Sequence, residues 1–122
     1  MVAALPKRRE YSRVQSAPEV RLRFGHFLLL ASKRPTPADP DVGGSARFGI
    51  VASRKIGNAV VRNRCKRLLR ELFRRHGLER EVDVVVVVTQ AMTGEPLSTF
   101  EDTWLRALRT LAAKLDTRGR RR

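Results

Sequence analysis

This chain of 122 residues has a single cysteine, Cys65, so it can form no internal disulfide and no thiolate metal cluster. Cys65 falls on an apolar helical stripe, the place of a small core residue rather than of a reactive thiol. The chain has only two histidines, His26 and His76, far apart in sequence. His26 lies among apolar strand residues and is expected to be packed. His76 ends a helical segment, where a cation is favoured. No HExxH, GxSxG, P-loop or paired-carboxylate motif occurs, and the acids after residue 76 are scattered over what read as loop and solvent faces. A metal-dependent nuclease would need clustered carboxylates, so phosphodiester chemistry by this chain's own side chains is not expected. Long apolar runs are also missing. The valine run at residues 84–88 is strand length, far short of the ~20 residues of a transmembrane helix. The N-terminus lacks the apolar stretch of a secretory signal. A cytoplasmic protein without a membrane partner is the expectation.

What the chain has in excess is positive charge, +14 from 26 basic and 12 acidic residues. Residues 54–75 hold nine basic residues and one acid, Glu71, whereas residues 76–117 are net acidic. This asymmetry implies one cationic surface and one ordinary one. The basic segment also carries a full helical stripe. At ~100° per residue, Val61, Cys65, Leu68, Leu69, Leu72 and Phe73 share one side, and Asn63, Arg67, Arg70 and Arg74 the other. Asn58 is placed to cap the helix and Gly77 to end it. Like charges four apart, as in Arg62, Lys66, Arg70 and Arg74, repel and cost helix stability. A rigid helix that keeps such a row implies an anionic polymer as partner.

By size the chain is one domain, residues 1–116, with residues 1–9 expected to be a disordered lead-in and residues 117–122 a disordered basic tail. A short helix before Pro18 precedes residues 20–32, which read as strand with a bulge or bend at Gly25. Residues 34–45 form the clearest loop. A strand over residues 46–53 leads into the basic helix. Residues 82–89 fit a strand buried on both faces. Ser98 and Glu101 fit a capping box at the start of a last helix, on which Trp104 is a core residue. A sheet with helices on it makes this an α+β two-layer sandwich.

The segment RFGIVASRKIGNAVVRNRCKRLLRELF resembles the signature region of the bacterial ribonuclease P protein subunit. The family pattern is a strand ending in S-[RK]-K, then [IV]-G-x-A-V-x-R-N-x-x-K-R-x-x-R-E. Here it is met by Ser53-Arg54-Lys55, Ile56-Gly57-Asn58-Ala59-Val60 and the run from Arg62 to Glu71. The resemblance is tight over residues 47–73 and elsewhere rests on order and length. It implies a mixed four-stranded sheet with about three helices, like the second domain of ribosomal protein S5. It also implies a left-handed βαβ crossover, against the right-handed rule that pattern alone would favour.

The resemblance further implies an accessory subunit of a ribonucleoprotein endoribonuclease. Its catalyst is a large RNA that removes the 5′ leader of precursor tRNA, using Mg²⁺ held mainly by the RNA and the substrate. Carried over by position, Arg54, Lys55, Asn58, Arg62, Asn63, Arg64, Lys66, Arg67 and Arg70 would contact RNA. Tyr11, Phe24 and Phe27 would serve the leader. Gln15 and Leu30 stand where the family often has further aromatics. Partners would be the catalytic RNA and precursor tRNA, with no obligate protein partner, and no metal site is assigned to the protein. The alternatives are a ribosomal or ribosome-assembly RNA-binding protein and, last, a DNA-binding module, since strands and not a second helix flank the basic helix.

Overall fold

A computed structural model describes residues 3–4, 8–34, 45–92 and 94–120. The elements run β1 (Ala3–Ala4), α1 (Arg8–Ser16), β2 (Val20–Phe24), β3 (Phe27–Lys33), β4 (Arg47–Val51), a 3-10 turn (Arg54–Ile56), α2 (Ala59–Arg75), β5 (Val82–Val88) and α3 (Leu97–Arg120). The expected loop centred on residues 35–44 lies outside the described residues.

Four full strands and the two-residue β1 form one mixed sheet in the order β1-β4-β5-β3-β2. β4 pairs parallel to β5, and β5–β3 and β3–β2 pair antiparallel. The segment read as one strand over residues 20–32 is instead a hairpin that turns at Gly25 and His26, with Phe24 opposite Phe27. A two-residue turn keeps cross-strand partners on one face, so Val20, Leu22 and Phe24 share a face with Ala31, Leu29 and Phe27. The apolar pattern is symmetric about Gly25-His26, which a bulge would not require.

That face packs on α2 and α3. Cys65, Leu69, Leu72 and Phe73 of α2 are buried, with Val61 and Leu68 half-buried, as the stripe predicts. Trp104 of α3 is fully buried and donates Nε1–H to the His76 carbonyl at 3.0 Å. It sits among Phe27, Phe48 and Phe73, and the Phe48 and Phe73 rings stack with centroids 4.6 Å apart. Val84, Val85 and Val86 are all fully buried, so β5 is covered on both faces. The nine-residue α1 lies on the second face, where Val14 packs with Leu28, Leu30 and Val85. The architecture is an α+β sandwich with α1 on part of the outer sheet face.

Several expectations are corrected. Ser98 and Glu101 form no capping box, because α3 already begins at Leu97. Glu101 instead accepts from His76 Nε2 at 2.7 Å, tying α3 to the end of α2. His26 lies in the hairpin turn, with its ring edge-on to Phe100. α3 runs from Leu97 to Arg120, and β1 and α1 begin at Ala3 and Arg8. Asp83 is not on a solvent face: it is fully buried. Arg47 grips it with Nε and Nη2, both at 2.8 Å, Arg13 of α1 donates to the same carboxylate, and Arg34 Nε approaches to 3.6 Å. The charge is thereby matched in place, as a buried carboxylate requires.

Candidate RNA interface

Asn58 caps α2, its side-chain oxygen accepting from the Val61 N–H at 3.0 Å. Gly57, at φ 156°, joins this cap to the 3-10 turn, and a Cβ there would stand 3.0 Å from Val61. The turn therefore sets Arg54 and Lys55, both exposed, directly before the helix N-terminus. Along α2, Asn63, Arg64, Arg67 and Arg70 are exposed, and Arg62 and Lys66 are half-buried. All nine sequence-predicted RNA contacts thus lie on one stretch of turn and helix.

Charge is distributed unevenly along this stretch. Arg54, Lys55, Arg62, Arg64, Lys66, Arg67 and Arg70 form no ion pair among the described residues, and Arg62 Nε is enclosed without a hydrogen-bond partner. The C-terminal end differs. Glu71 is hydrogen-bonded by Arg74 and, at 2.8 Å, by Arg75 Nε. Arg74, which the sequence places in the cationic row, is therefore already paired. The Arg74 hydrogen bond, with Arg75 adding to it, holds the Glu71 carboxyl below the usual carboxylate range. The His76 hydrogen bond does the same for Glu101, with Arg75 second. Glu71 and Glu101 together raise the Arg75 guanidinium, Glu71 contributing more. Along the turn and α2, the free cations thus lie at residues 54–70, and Glu71 and Glu101 neutralise the C-terminal end.

The three aromatics expected to serve a leader do not come together. Phe27 is fully buried against Trp104, and Phe24 is half-buried on the same α2/α3 face. Direct pairing across the hairpin sends both to the core side, so Phe27 cannot stack on a base. Tyr11 lies on the opposite face, on α1, and its ring covers Gly49 of β4.

That outer face is ordered in rows across the strands. One row is Val51, Val87, Leu28 and Arg23; the next is Gly49, Val85, Leu30 and Arg21; the third contains Arg47, Asp83 and Ser32. α1 covers the second and third rows: Tyr11 meets Gly49, Val14 meets Val85 and Leu30, and Arg13 meets Asp83. In the first row Val51 and Val87 stay half-exposed beside Tyr11. Sequence reasoning missed the role of Asp83 with Arg13, Arg34 and Arg47 in seating α1. The available signal was an acid between Val82 and Val84 at the start of a valine strand. Among the described residues no group of three or more His, Cys, Asp or Glu side chains is placed to hold a metal ion, and no helix is long and apolar enough to cross a membrane.

The family model for ribonuclease P matches residues 2–112. The ribonuclease P protein component of Desulfovibrio desulfuricans is 46% identical over 76 residues, 62% of this chain and 55% of that protein. This chain thus spans little more than half the length of that relative. The RNase P protein of Thermotoga maritima superposes with a TM-score of 0.68 at 26% identity, covering 86% of this chain and 94% of that one. The Staphylococcus aureus RNase P protein has the same fold, with a TM-score of 0.68 at 21% identity over 92% of this chain and 96% of that one. With a basic signature helix, a fold shared with solved RNase P proteins and a family match over nearly its whole length, this chain belongs to the ribonuclease P protein family.

Proposed function

We propose that this chain is the protein subunit of ribonuclease P in the cytoplasm, where it binds the catalytic RNA and the 5′ leader of precursor tRNA and aids leader removal. The observation that carries the reading is the run of unpaired cations at residues 54–70 on a rigid turn and helix, in a member of this family. An arginine fork makes two-point contacts with phosphate oxygens, and a helix fixes several forks at once. Asn63, exposed between Arg62 and Arg64, can both donate to and accept from RNA. The leader would cross the outer sheet face beside Tyr11, where single-stranded bases find an aromatic ring and half-exposed valines. Hydrolysis would be carried out by the RNA with Mg²⁺ held mainly by RNA and substrate. The protein's part is to position RNA and to offset phosphate repulsion.

The test is competition between ribonuclease P RNA and ribosomal RNA for the purified protein. Tight binding to ribonuclease P RNA that excess ribosomal RNA does not displace supports the reading. Preferential capture of ribosomal RNA would transfer the cationic helix to ribosome binding or assembly.

A further inference from the structure

The outer sheet face ends in two arginines that the signature motif does not include. Arg21 and Arg23 lie on β2, the edge strand, and alternate with Val20, Leu22 and Phe24, which turn to the core. Their cross-strand partners are Leu30 and Leu28, so both arginines project from the α1 face. Both are exposed, and neither bonds or pairs with a described residue. The nearest acid in sequence, Glu19, is engaged by the Lys33 backbone N–H at 3.1 Å. Alternation sets the two Cα atoms roughly 7 Å apart along the strand. This regular, like-charged pair suits successive phosphates of an extended chain. Among the described residues no carboxylate is paired with either guanidinium, so both are available to an anion.

The first row of the face connects this pair to the other cations. It starts at Val51, three residues before Arg54, crosses Val87 and Leu28, and ends at Arg23. Three strand spacings make this crossing about 14 Å wide, a distance that a single strand covers in a few nucleotides. The floor is apolar, and Tyr11 stands along one side. Cations thus flank the floor at both ends, Arg54 and Lys55 on one and Arg23 with Arg21 on the other.

We propose that Arg21 and Arg23 form a distal phosphate clamp for the single-stranded 5′ leader, at the edge of the sheet farthest from the RNA-binding helix. This deepens the leader reading above and rests on it. Bases would lie over Val51, Val87 and Leu28 beside Tyr11, and the backbone leaving the cleft would be held by the two guanidinium groups. The clamp recognises phosphodiester and not base, so it adds affinity for leader length and no sequence preference. It should engage only leaders long enough to reach β2.

The test uses the assembled holoenzyme and precursor tRNAs that differ only in leader length. Arg21→Ala/Arg23→Ala should weaken binding of a long-leader substrate several-fold and leave a stub-leader substrate and the catalytic RNA bound as before. Its log–log salt slope for the long leader should be shallower by up to roughly 1.4, from about 0.7 per single-strand phosphate contact. Arg21→Lys/Arg23→Lys should restore most of the loss. Both side chains are exposed, so the melting temperature should be unchanged. Unaltered long-leader affinity and salt slope would overturn the clamp, as would an equal loss for the stub leader. Wild-type indifference to leader length would instead remove the leader cleft itself, and the clamp with it.

Discussion

The ring of Tyr11 occupies the space that a side chain on Gly49 would need: a Cβ at Gly49 would stand 2.5 Å from Tyr11 Cζ. The contact sets how closely α1 approaches β4, and so one wall of the outer cleft. Gly49→Ala should push Tyr11 outward while the core on the α2/α3 face stays intact. Expected is weaker binding of long-leader precursor tRNA with unchanged affinity for the catalytic RNA. Tyr11→Ala should lose about 1–3 kcal/mol of leader binding if the ring stacks on one base. Titration of long- and stub-leader substrates measures both. Equal losses on the two substrates would detach Tyr11 from the leader.

Asp83 is the fixed point that seats α1 on the sheet. Removing its charge leaves Arg13, Arg34 and Arg47 around a neutral group inside the fold. Breaking a buried pair in this way costs about 3–5 kcal/mol. Asp83→Asn should therefore lower the urea midpoint markedly, whereas Asp116→Asn, whose partner Arg80 is exposed at 3.3 Å, should barely move it. A midpoint for Asp83→Asn within error of wild type would contradict the role given to this carboxylate.

Along α2, function and stability are expected to separate by face. Arg67→Ala and Arg70→Ala should weaken RNA binding without shifting the melting temperature. Leu69→Ala, in a fully buried position, should cost roughly 2–5 kcal/mol of stability. Arg74→Ala should affect RNA binding least, since its guanidinium is spent on Glu71. With six or seven phosphate contacts, affinity for RNA should fall with a log–log salt slope on the order of −5. Filter binding across a salt series reads both the ranking and the slope, and a flat response would rule out the cationic platform.

Acid should loosen the join between α2 and α3. The carboxyls of Glu71 and Glu101 titrate below the ordinary range because the folded protein hydrogen-bonds their charged forms. Their contribution is therefore complete above the unfolded glutamate pKa, about 4.3, and is lost as pH falls through the lower folded values. Thermal melts of wild type and Glu101→Gln should differ at neutral pH and converge as the solution is made more acid. Divergence toward low pH would mean that Glu101 is not stabilised as a carboxylate.

The α2 interface was legible in the sequence because a helix converts spacing directly into faces: the stripe through Cys65 and Leu69 and the cap at Asn58 fall where periodicity puts them. The outer cleft was not, because its geometry depends on strand pairing. Reading residues 20–32 as one strand hid the hairpin, and with it the fact that Phe24 and Phe27 share the core face while Arg21 and Arg23 share the other. Asp83 was misread for a related reason. A carboxylate in a buried strand is tolerable only with partners, and these come from residues 36, 49 and 70 positions away. The pairing of Arg74 with Glu71 lies three residues apart and was open to local reading, but the charge row drew attention away from it.

The most direct measurement is leader cleavage of precursor tRNA by the cognate ribonuclease P RNA at low Mg²⁺, alone, with this protein, and with its Arg67→Ala/Arg70→Ala variant. Strong stimulation by the wild-type protein and little by the folded variant are expected. An active RNA at high Mg²⁺ that the wild-type protein fails to stimulate at low Mg²⁺ would contradict the assignment of this chain as its subunit.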